Sequence, residues 1–190
     1  MNLGKNLDKL FVKFTSYINA ILKLDEKTKS NYYSDKDELI YLPLSHIELL
    51  QKSIIKMYEK SDDPIAKGYM SKSNLEFILN YVKDMYDDSK PKETKLINKA
   101  AFVFYNIALK HPFADGNKRT SIIACNAFLE SNGYSIRYIP FRDSRKFIIE
   151  VAMGEKSELE CQKFIKKHIS KYTISKKMRE IINKLNKIEP

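Results

Sequence analysis

The amphipathic pattern between residues 93 and 110 constrains the fold of this chain more than any other feature. Apolar side chains recur there every three or four residues, which places them on one face of a helix. They are Leu96, Ile97, Ala100, Val103, Phe104, Ile107 and Ala108. Pro112 ends the pattern, because the residue before a proline is pushed out of the α region. The sequence therefore predicts a long core helix from Glu93 to Lys110.

Similar patterns predict helices along most of the chain. Glycine and proline are scarce, with 5 and 6 in 190 residues, and this scarcity disfavours the many turns of a β-sandwich or barrel. Residues 25–38 are polar and predict a linker, and residues 134–139 predict a short extended piece. The predicted helices are 6–23, 45–60, 73–85, 93–110, 117–132, 143–153, 157–170 and 174–188. The predicted fold is all-α with one small hairpin.

Three of these helices begin with the sequence of a capping box. A Ser followed by Glu three residues later can satisfy two backbone N–H groups at a helix start. The pairs are Ser45 with Glu48, Ser73 with Glu76, and Ser157 with Glu160.

The net charge is +10 and is concentrated at the end of the chain. Residues 161–190 hold nine Lys or Arg against two Glu. Such a tail could attract nucleic acid or an acidic partner, but a solvated helix face is the favoured interpretation because no nucleic-acid motif accompanies the charge. No apolar run is long enough for a membrane helix, and no secretion signal is present, so the sequence predicts a cytoplasmic protein. Cys125 and Cys161 lack metal-ligand spacing and are expected to be inert reduced thiols.

The segment between two predicted helices, residues 111–119, concentrates unusual chemistry. His111 stands at the end of one helix, where an imidazole can act as a general base. Gly116 and Asn117 open the next helix, whose unpaired N–H groups form an anion site. Asp115 adds a carboxylate, which would repel a phosphate unless a Mg²⁺ ion bridged the two. Lys118 and Arg119 supply positive charge, and together these groups indicate phosphoryl or nucleotidyl transfer.

This segment, called the motif segment below, reads His-Pro-Phe-Ala-Asp-Gly-Asn-Lys-Arg. It resembles the signature of the Fic/Doc family, His-Pro-Phe-x-Asp/Glu-Gly-Asn-x-Arg. The similarity extends through residues 120–123 and through residues 128–134, and it places a Fic/Doc domain at residues 44–171. The resemblance implies a helical bundle with a small β-hairpin flap. Residues 1–43, an extra N-terminal helix with its linker, and residues 172–190, a basic C-terminal helix, are not explained by it.

The resemblance also implies a role for each residue of the motif segment. His111 is expected to deprotonate a target hydroxyl, and Asp115 to hold Mg²⁺. The phosphates of ATP would be bound by Gly116, Asn117, Lys118 and Arg119. Pro112 and Phe113 are expected to be structural, with Phe113 anchoring the loop in the core. The family's target-docking flap is expected at residues 66–70, called the flap segment below, and includes Lys67, Gly68 and Tyr69; it would pair with an extended target by strand addition.

Two positions bear on which phosphorus is attacked. AMP-transferring members typically have a glycine where this chain has Lys118 and a second arginine where it has Ile122. Both differences resemble the Doc branch, which transfers the γ-phosphate to a threonine of elongation factor Tu. Lys118 fills space that glycine would leave open, and the missing arginine would weaken the hold on the α- and β-phosphates. The sequence therefore favours a toxin-like phosphate transferase, with AMP transfer as the alternative.

Partners and regulation follow from the same resemblance. The expected substrate is a protein, with a translation factor as one candidate. The self-inhibitory pattern common in AMP-transferring members is not found in the predicted terminal helices. A separate antitoxin, or a terminal helix of different sequence, would then restrain the enzyme. A second hypothesis of a different class is a non-catalytic domain that binds a nucleotide or RNA, but the intact His111, Asp115 and Arg119 argue against it.

Overall fold

A computed structural model describes residues 33–34, 39–60, 64–85, 89–136 and 141–171. These ranges contain helices α1 (Leu44–Tyr58), α2 (Lys72–Asp84), α3 (Lys92–Lys110), α4 (Asn117–Ser131), α5 (Phe141–Ala152) and α6 (Glu158–His168). They also contain short strands β1 (Tyr33–Ser34), β2 (Leu39–Ile40), β3 (Tyr134–Ile136) and β4 (Ile169–Lys171). The mainly helical fold is thus confirmed. The predicted helices 6–23 and 174–188 lie outside the described residues.

Helix α3 is the centre of the fold. It packs against α2, α4, α5 and α6, and its buried side chains cover almost its whole circumference. A helix that is buried on all sides belongs to the core of a domain. The prediction of a long core helix from Glu93 to Lys110 is therefore confirmed, with the start one residue earlier. None of the described helices has the length and apolarity needed to cross a membrane.

One charged side chain of α3 is buried inside this core. Lys99 is 1% exposed, and its Nζ donates to the carbonyl oxygen of Val82 at 2.7 Å. A second carbonyl, that of Lys83, lies 3.5 Å from the same atom. Both carbonyls belong to the last turn of α2, where unpaired oxygens attract a cation. Lys99 therefore fastens the end of α2 to α3.

The two cysteines are free thiols buried in this core. Burial raises the pKa of Cys125, and it raises the pKa of Cys161 to about 12. Protonated, buried thiols of this kind are poor nucleophiles.

Two pairs of short antiparallel strands flank the helices. Strand β1 pairs with β2, with Tyr33 opposite Ile40. The linker predicted for residues 25–38 is therefore wrong at residues 33–34. The reason lies outside that segment: the Asn132 side chain accepts from the Ile40 N–H at 2.9 Å and donates to the Ile40 carbonyl at 2.9 Å, which fixes β2. Polar composition alone does not indicate such a partner.

Strand β3 pairs with β4, with Ile136 opposite Ile169. The helix predicted for residues 157–170 is therefore wrong at its end, because α6 ends at His168 and the next residues are extended. Asn126 of α4 accepts a hydrogen bond from the Ile136 N–H at 2.9 Å, which holds β3 against the helix and offers β4 an edge.

The helix starts differ from the predicted capping boxes in two of three cases. The box of Ser157 with Glu160 is confirmed. Helix α1 instead begins after the extended residue Pro43, without a side-chain cap. Helix α2 is capped by Ser71, whose hydroxyl accepts from the Asn74 N–H. Tertiary contacts explain this second difference, because the Ser71 N–H is held by the Pro112 carbonyl at 3.0 Å and so fixes where α2 begins.

Candidate functional site

The motif segment joins the end of α3 to the start of α4. His111 follows the last residue of α3 with φ 44° and ψ 60°, a left-handed conformation. Its imidazole is exposed, and Nδ1 lies 3.0 Å from the carbonyl oxygen of Leu109. Because a carbonyl can only accept, Nδ1 carries the hydrogen and Nε2 of the neutral ring keeps its lone pair. His111 is thus arranged to accept a proton at Nε2.

The loop after His111 is anchored in the core by Phe113. This side chain is 2% exposed, as the predicted structural role requires. Asn117 fixes the same residue through its backbone: the Phe113 N–H donates to Asn117 Oδ1 at 2.9 Å, and Asn117 Nδ2 donates to the Phe113 carbonyl at 2.7 Å. Both polar atoms of the Asn117 side chain are therefore used within the loop. The predicted contact of Asn117 with phosphate would have to come from its backbone N–H at the start of α4.

Gly116 occupies the position before α4 with φ 76° and ψ 7°. This conformation suits glycine, which lacks the Cβ that makes left-handed backbone costly. Space behind the residue is also limited, since a Cβ there would lie 3.2 Å from Gln51 Nε2 and 3.4 Å from Ile65 Cγ2. Substituting this glycine would therefore disturb the start of α4, where the helix presents its unpaired N–H groups.

Asp115 places its carboxylate at this helix start. The side chain is exposed, and its Oδ1 accepts a short hydrogen bond from the Gly116 N–H. An anion at this position is what the helix dipole favours. The described ranges contain no group of three or more His, Cys, Asp or Glu side chains that could by itself hold a metal ion. A single exposed carboxylate fits Mg²⁺, which one or two carboxylates commonly hold together with substrate phosphates and water.

The two cations of the motif segment lie in the first turn of α4. Lys118 is exposed and Arg119 is partly buried. The guanidinium carbon of Arg119 lies 4.2 Å from the centre of the Tyr58 ring at the end of α1. Such a cation–π contact holds the guanidinium over the ring. The sequence offered no signal for Tyr58, because it acts from another helix.

The flap segment pairs with the motif segment. Tyr69 and Phe113 form an isolated antiparallel bridge. The Ala114 N–H donates to the Gly68 carbonyl at 3.0 Å, and the Met70 N–H donates to the Pro112 carbonyl at 2.9 Å. Because successive residues of an extended chain alternate in direction, the N–H and C=O of Tyr69 point to the opposite edge. One backbone edge of the flap segment is thus hydrogen-bonded to the motif segment, and the other edge points away from it.

The Tyr69 side chain connects the flap segment to α1. Its ring stacks on Phe113 with centroids 5.2 Å apart, and its hydroxyl donates to Glu48 Oε1 at 2.6 Å. Burial, aided by Glu48, raises the pKa of Tyr69, so the hydroxyl remains a donor. Nearby, Lys67 Nζ lies 3.8 Å from Glu59 Oε1, also at α1. The Tyr69 hydrogen bond holds the flap segment against α1, whereas the exposed pair of Lys67 and Glu59 adds little.

A cleft of about 500 Å³ lies between α1 and the flap segment. Its lining includes Gln51, Ile55, Tyr69 and Phe113. Of the motif segment, Phe113 lines the cleft, whereas His111 and Asp115 do not. The cleft therefore adjoins the motif segment from the side of α1.

Gln51 of α1 is the residue that sequence reasoning missed most clearly. It is 4% exposed, its Nε2 donates to the Asp115 carbonyl at 2.7 Å, and its Oε1 accepts a short hydrogen bond from the Thr120 hydroxyl. Its position in a helical pattern resembles that of any other inward-facing residue. Only the tertiary fold brings it behind the motif segment.

Part of the chain matches a known protein family. The family model described as "Fic/DOC family" matches residues 41–129, which include α1 to α3, the flap segment, the motif segment and most of α4. Residues 41–129 therefore belong to a Fic/Doc domain. Its predicted boundaries at 44 and 171 stay a prediction.

Two curated proteins are similar to this Fic/Doc chain. The protein adenylyltransferase fic-1 of Caenorhabditis briggsae is 23% identical over 144 residues, covering 67% of this chain and 28% of the relative. The protein of the same name from Caenorhabditis elegans is 22% identical over 144 residues, with the same coverage. The chain thus spans less than a third of the length of these relatives.

Proposed function

We propose that this Fic/Doc domain transfers AMP from Mg-ATP to a hydroxyl side chain of a target protein. The observation that carries the proposal is the joint between α3 and α4, where the lone pair of His111 and the N–H groups of α4 belong to one loop anchored at Phe113. The names of the two similar proteins favour AMP transfer over the phosphate transfer expected from Lys118 and Ile122.

In the proposed reaction His111 is the general base. Its Nε2 takes the proton of the target hydroxyl while the hydroxyl oxygen attacks the α-phosphorus of ATP. The bond from that phosphorus to the bridging oxygen breaks, and pyrophosphate leaves. The hydrogen bond from Nδ1 to the Leu109 carbonyl keeps the ring oriented and stabilises the imidazolium that forms.

The start of α4 is the proposed phosphate site. Backbone N–H groups of Gly116 and Asn117 would face the phosphates, because helix starts favour anions. The Gly116 N–H, which donates to Asp115 Oδ1 here, would be released when that carboxylate turns to Mg²⁺. Arg119, held over Tyr58, would present its edge to phosphate oxygens, and Lys118 would add charge. Asp115 would hold Mg²⁺, which neutralises charge that develops on the phosphates.

The outer edge of the flap segment is the proposed docking site for the target. Tyr69 turns its N–H and C=O away from the motif segment, and an extended target segment could pair with them. Lys67 and Gly68 precede it on the same segment. Because the flap segment is hydrogen-bonded to the residues on either side of Phe113, a target paired with it would be placed at a fixed distance from His111.

The phosphate-transfer alternative is favoured by two residues of α4. Lys118 has a long stem where a glycine would leave space, and Ile122 stands where a second arginine would clamp phosphate. A nucleotide shifted by these differences would present its γ-phosphorus to the hydroxyl, and ADP would leave. Regulation by a separate antitoxin protein would accompany this alternative.

Parallel labelling separates the two reactions. The purified chain is incubated with a protein extract, Mg²⁺ and ATP labelled at either the α- or the γ-phosphate. AMP transfer labels protein from α-labelled ATP alone, and phosphate transfer labels it from γ-labelled ATP alone. If neither label reaches protein at any enzyme concentration, the transferase proposal is wrong, and salt-sensitive RNA binding without turnover would then support a binding domain.

A further inference from the structure

Gln51 uses both ends of its amide group to connect α1 with the motif segment. Its Nε2 donates to the Asp115 carbonyl at 2.7 Å, and its Oε1 accepts from the Thr120 hydroxyl. A buried amide with both ends satisfied holds one orientation, because any rotation would leave a polar group unpaired. Thr120 is itself fully buried and lies one turn into α4.

The contact at Asp115 determines the direction of a neighbouring donor. The peptide unit between Asp115 and Gly116 is trans, so its C=O and N–H point in opposite directions. Gln51 holds the C=O towards α1. The N–H of Gly116 must therefore point away from α1, towards the Asp115 carboxylate that accepts it.

Gln51 also occupies the space behind Gly116. Its amide atoms would lie 3.2 and 3.4 Å from a Cβ at that position. The side chain therefore supports the peptide unit from behind as well as pulling on its carbonyl. A rotation of this unit would turn the Gly116 N–H inwards, and one donor of the anion site would be lost.

We propose that Gln51 is a positioning residue for phosphate binding. It orients the peptide unit of Asp115 and Gly116 so that the Gly116 N–H, which donates to the Asp115 carboxylate in this structure, lies on the side of the helix start where the phosphates of the nucleotide and their Mg²⁺ would bind. Thr120 assists by fixing the Gln51 amide. Gln51 touches neither nucleotide nor target and acts through the backbone. This inference rests on the proposed function, because it concerns the site at which that function binds ATP.

Binding measurements on the full chain test this role. Gln51→Met keeps the size of the side chain and removes both hydrogen bonds, whereas Gln51→Glu removes the donor to Asp115 and keeps the acceptor for Thr120. The probes are a non-hydrolysable ATP analogue and inorganic tripolyphosphate, each with Mg²⁺, measured by titration calorimetry. We expect both variants to raise the Kd of both probes by about tenfold, the effect of one hydrogen bond.

A control at the other end of α4 separates positioning from loss of stability. Asn132 clamps Ile40 through two side-chain hydrogen bonds, and a helix of 15 residues puts it roughly 22 Å from the motif segment. Asn132→Ala should lower the Tm but leave both Kd values unchanged. If Asn132→Ala weakens binding as much as the Gln51 variants do at equal loss of Tm, the positioning role is wrong.

A double-mutant cycle with Thr120 supplies a second readout. Thr120→Val should weaken binding less than Gln51→Met, and Thr120→Ser should restore it. The double variant Gln51→Met with Thr120→Val should lose less affinity than the sum of the two single losses, because Thr120 acts largely through Gln51 and otherwise only through the Gly116 carbonyl, 3.0 Å from its hydroxyl. Additive losses, wild-type affinity in the Gln51 variants, or weakened binding of the ATP analogue alone would each overturn the inference.

The wild-type arm tests the proposed function separately. A wild-type chain that binds neither probe and transfers no label would refute the proposed function, and the role of Gln51 would fall with it. A wild-type chain that transfers label, alongside Gln51 variants that bind both probes normally, would refute the role of Gln51 alone.

Discussion

Asn117 and Phe113 hold each other through two hydrogen bonds between a side chain and the backbone. The Phe113 N–H donates to Asn117 Oδ1, and Asn117 Nδ2 donates to the Phe113 carbonyl. Both residues are buried. The first residue of α4 thus ties the loop that carries His111 to the helix that would bind phosphate, and the two halves of the site are fixed relative to each other.

Replacing Asn117 should therefore destabilise the whole domain. Asn117→Ala leaves the N–H and C=O of Phe113 buried without their partners, at a cost of about 1–3 kcal/mol for each group. We expect the free energy of unfolding to fall by roughly 2–6 kcal/mol in urea denaturation. Lys118→Ala, on the exposed neighbour, should change it by no more than about 0.5 kcal/mol. Equal stability of the two variants would contradict the stabilising role of the two hydrogen bonds between Asn117 and Phe113.

Replacing His111 should abolish transfer without harming the fold. Asparagine is the suitable substitute, because it tolerates the left-handed conformation of this position better than alanine does. His111→Asn should lower the rate of label transfer by about 10²–10⁴, the usual contribution of a general base. Its Tm should match that of the wild type. Transfer at the wild-type rate would remove His111 from its proposed role.

Much of the fold could be predicted from local pattern. The period of α3 gave its ends to within one residue. The motif segment supplied the candidates His111, Asp115 and Gly116 without any tertiary information, and their roles stay predictions. Periodicity and turn chemistry act over a few residues, and these features are local.

What could not be predicted depends on contacts between distant parts of the chain. Gln51 meets Asp115 across 64 positions, and Asn132 meets Ile40 across 92. The predicted box of Ser73 with Glu76 had the right sequence, yet Ser71 begins α2 because Pro112 holds its N–H. Each of these results follows from hydrogen bonds that only the assembled fold creates.

Asp115 should couple nucleotide binding to magnesium. Its carboxylate is proposed to hold the ion, and without Mg²⁺ its charge would repel phosphate at the helix start. The wild-type chain should bind an ATP analogue at least about tenfold more weakly when Mg²⁺ is removed, a coupling of roughly 1.4 kcal/mol. Asp115→Asn should bind it with nearly the same Kd in both conditions. Titration calorimetry measures all four values, and an undiminished response to Mg²⁺ in the variant would refute this role.

Tyr58 should matter for nucleotide binding through Arg119. The guanidinium stacks on its ring at 4.2 Å, an arrangement that contributes about 0.5–1 kcal/mol at a partly exposed site. Tyr58→Leu should therefore raise the Kd for the ATP analogue by roughly two- to fivefold. Tyr58→Phe keeps the ring and should bind like the wild type. If Tyr58→Phe weakens binding as much as Tyr58→Leu, the hydroxyl and not the stacking is responsible.

The buried His46 and the partly buried Glu130 should make stability depend on pH in opposite directions. Burial lowers the pKa of His46 from 6.5 to about 4. Between these values the unfolded chain binds a proton that the folded chain does not, so His46 destabilises the fold as pH falls from 6.5 to 4. Burial raises the pKa of Glu130 from 4.5 to about 7, against the opposing hydrogen bond from Asn126. Between pH 7 and 4.5 the folded chain binds the extra proton, so Glu130 stabilises the fold as pH falls.

Single variants should reveal these two contributions, which nearly cancel in the wild type. His46→Gln removes the first, so its stability relative to the wild type should rise by up to about 3 kcal/mol as pH falls from 6.5 to 4. Glu130→Gln removes the second, and its relative stability should fall by a similar amount between pH 7 and 4.5. Urea denaturation at half-unit steps of pH measures both differences. A difference that stays constant across its window would show that the residue titrates alike in the folded and unfolded chains, which the burial of His46 and the partial burial of Glu130 argue against.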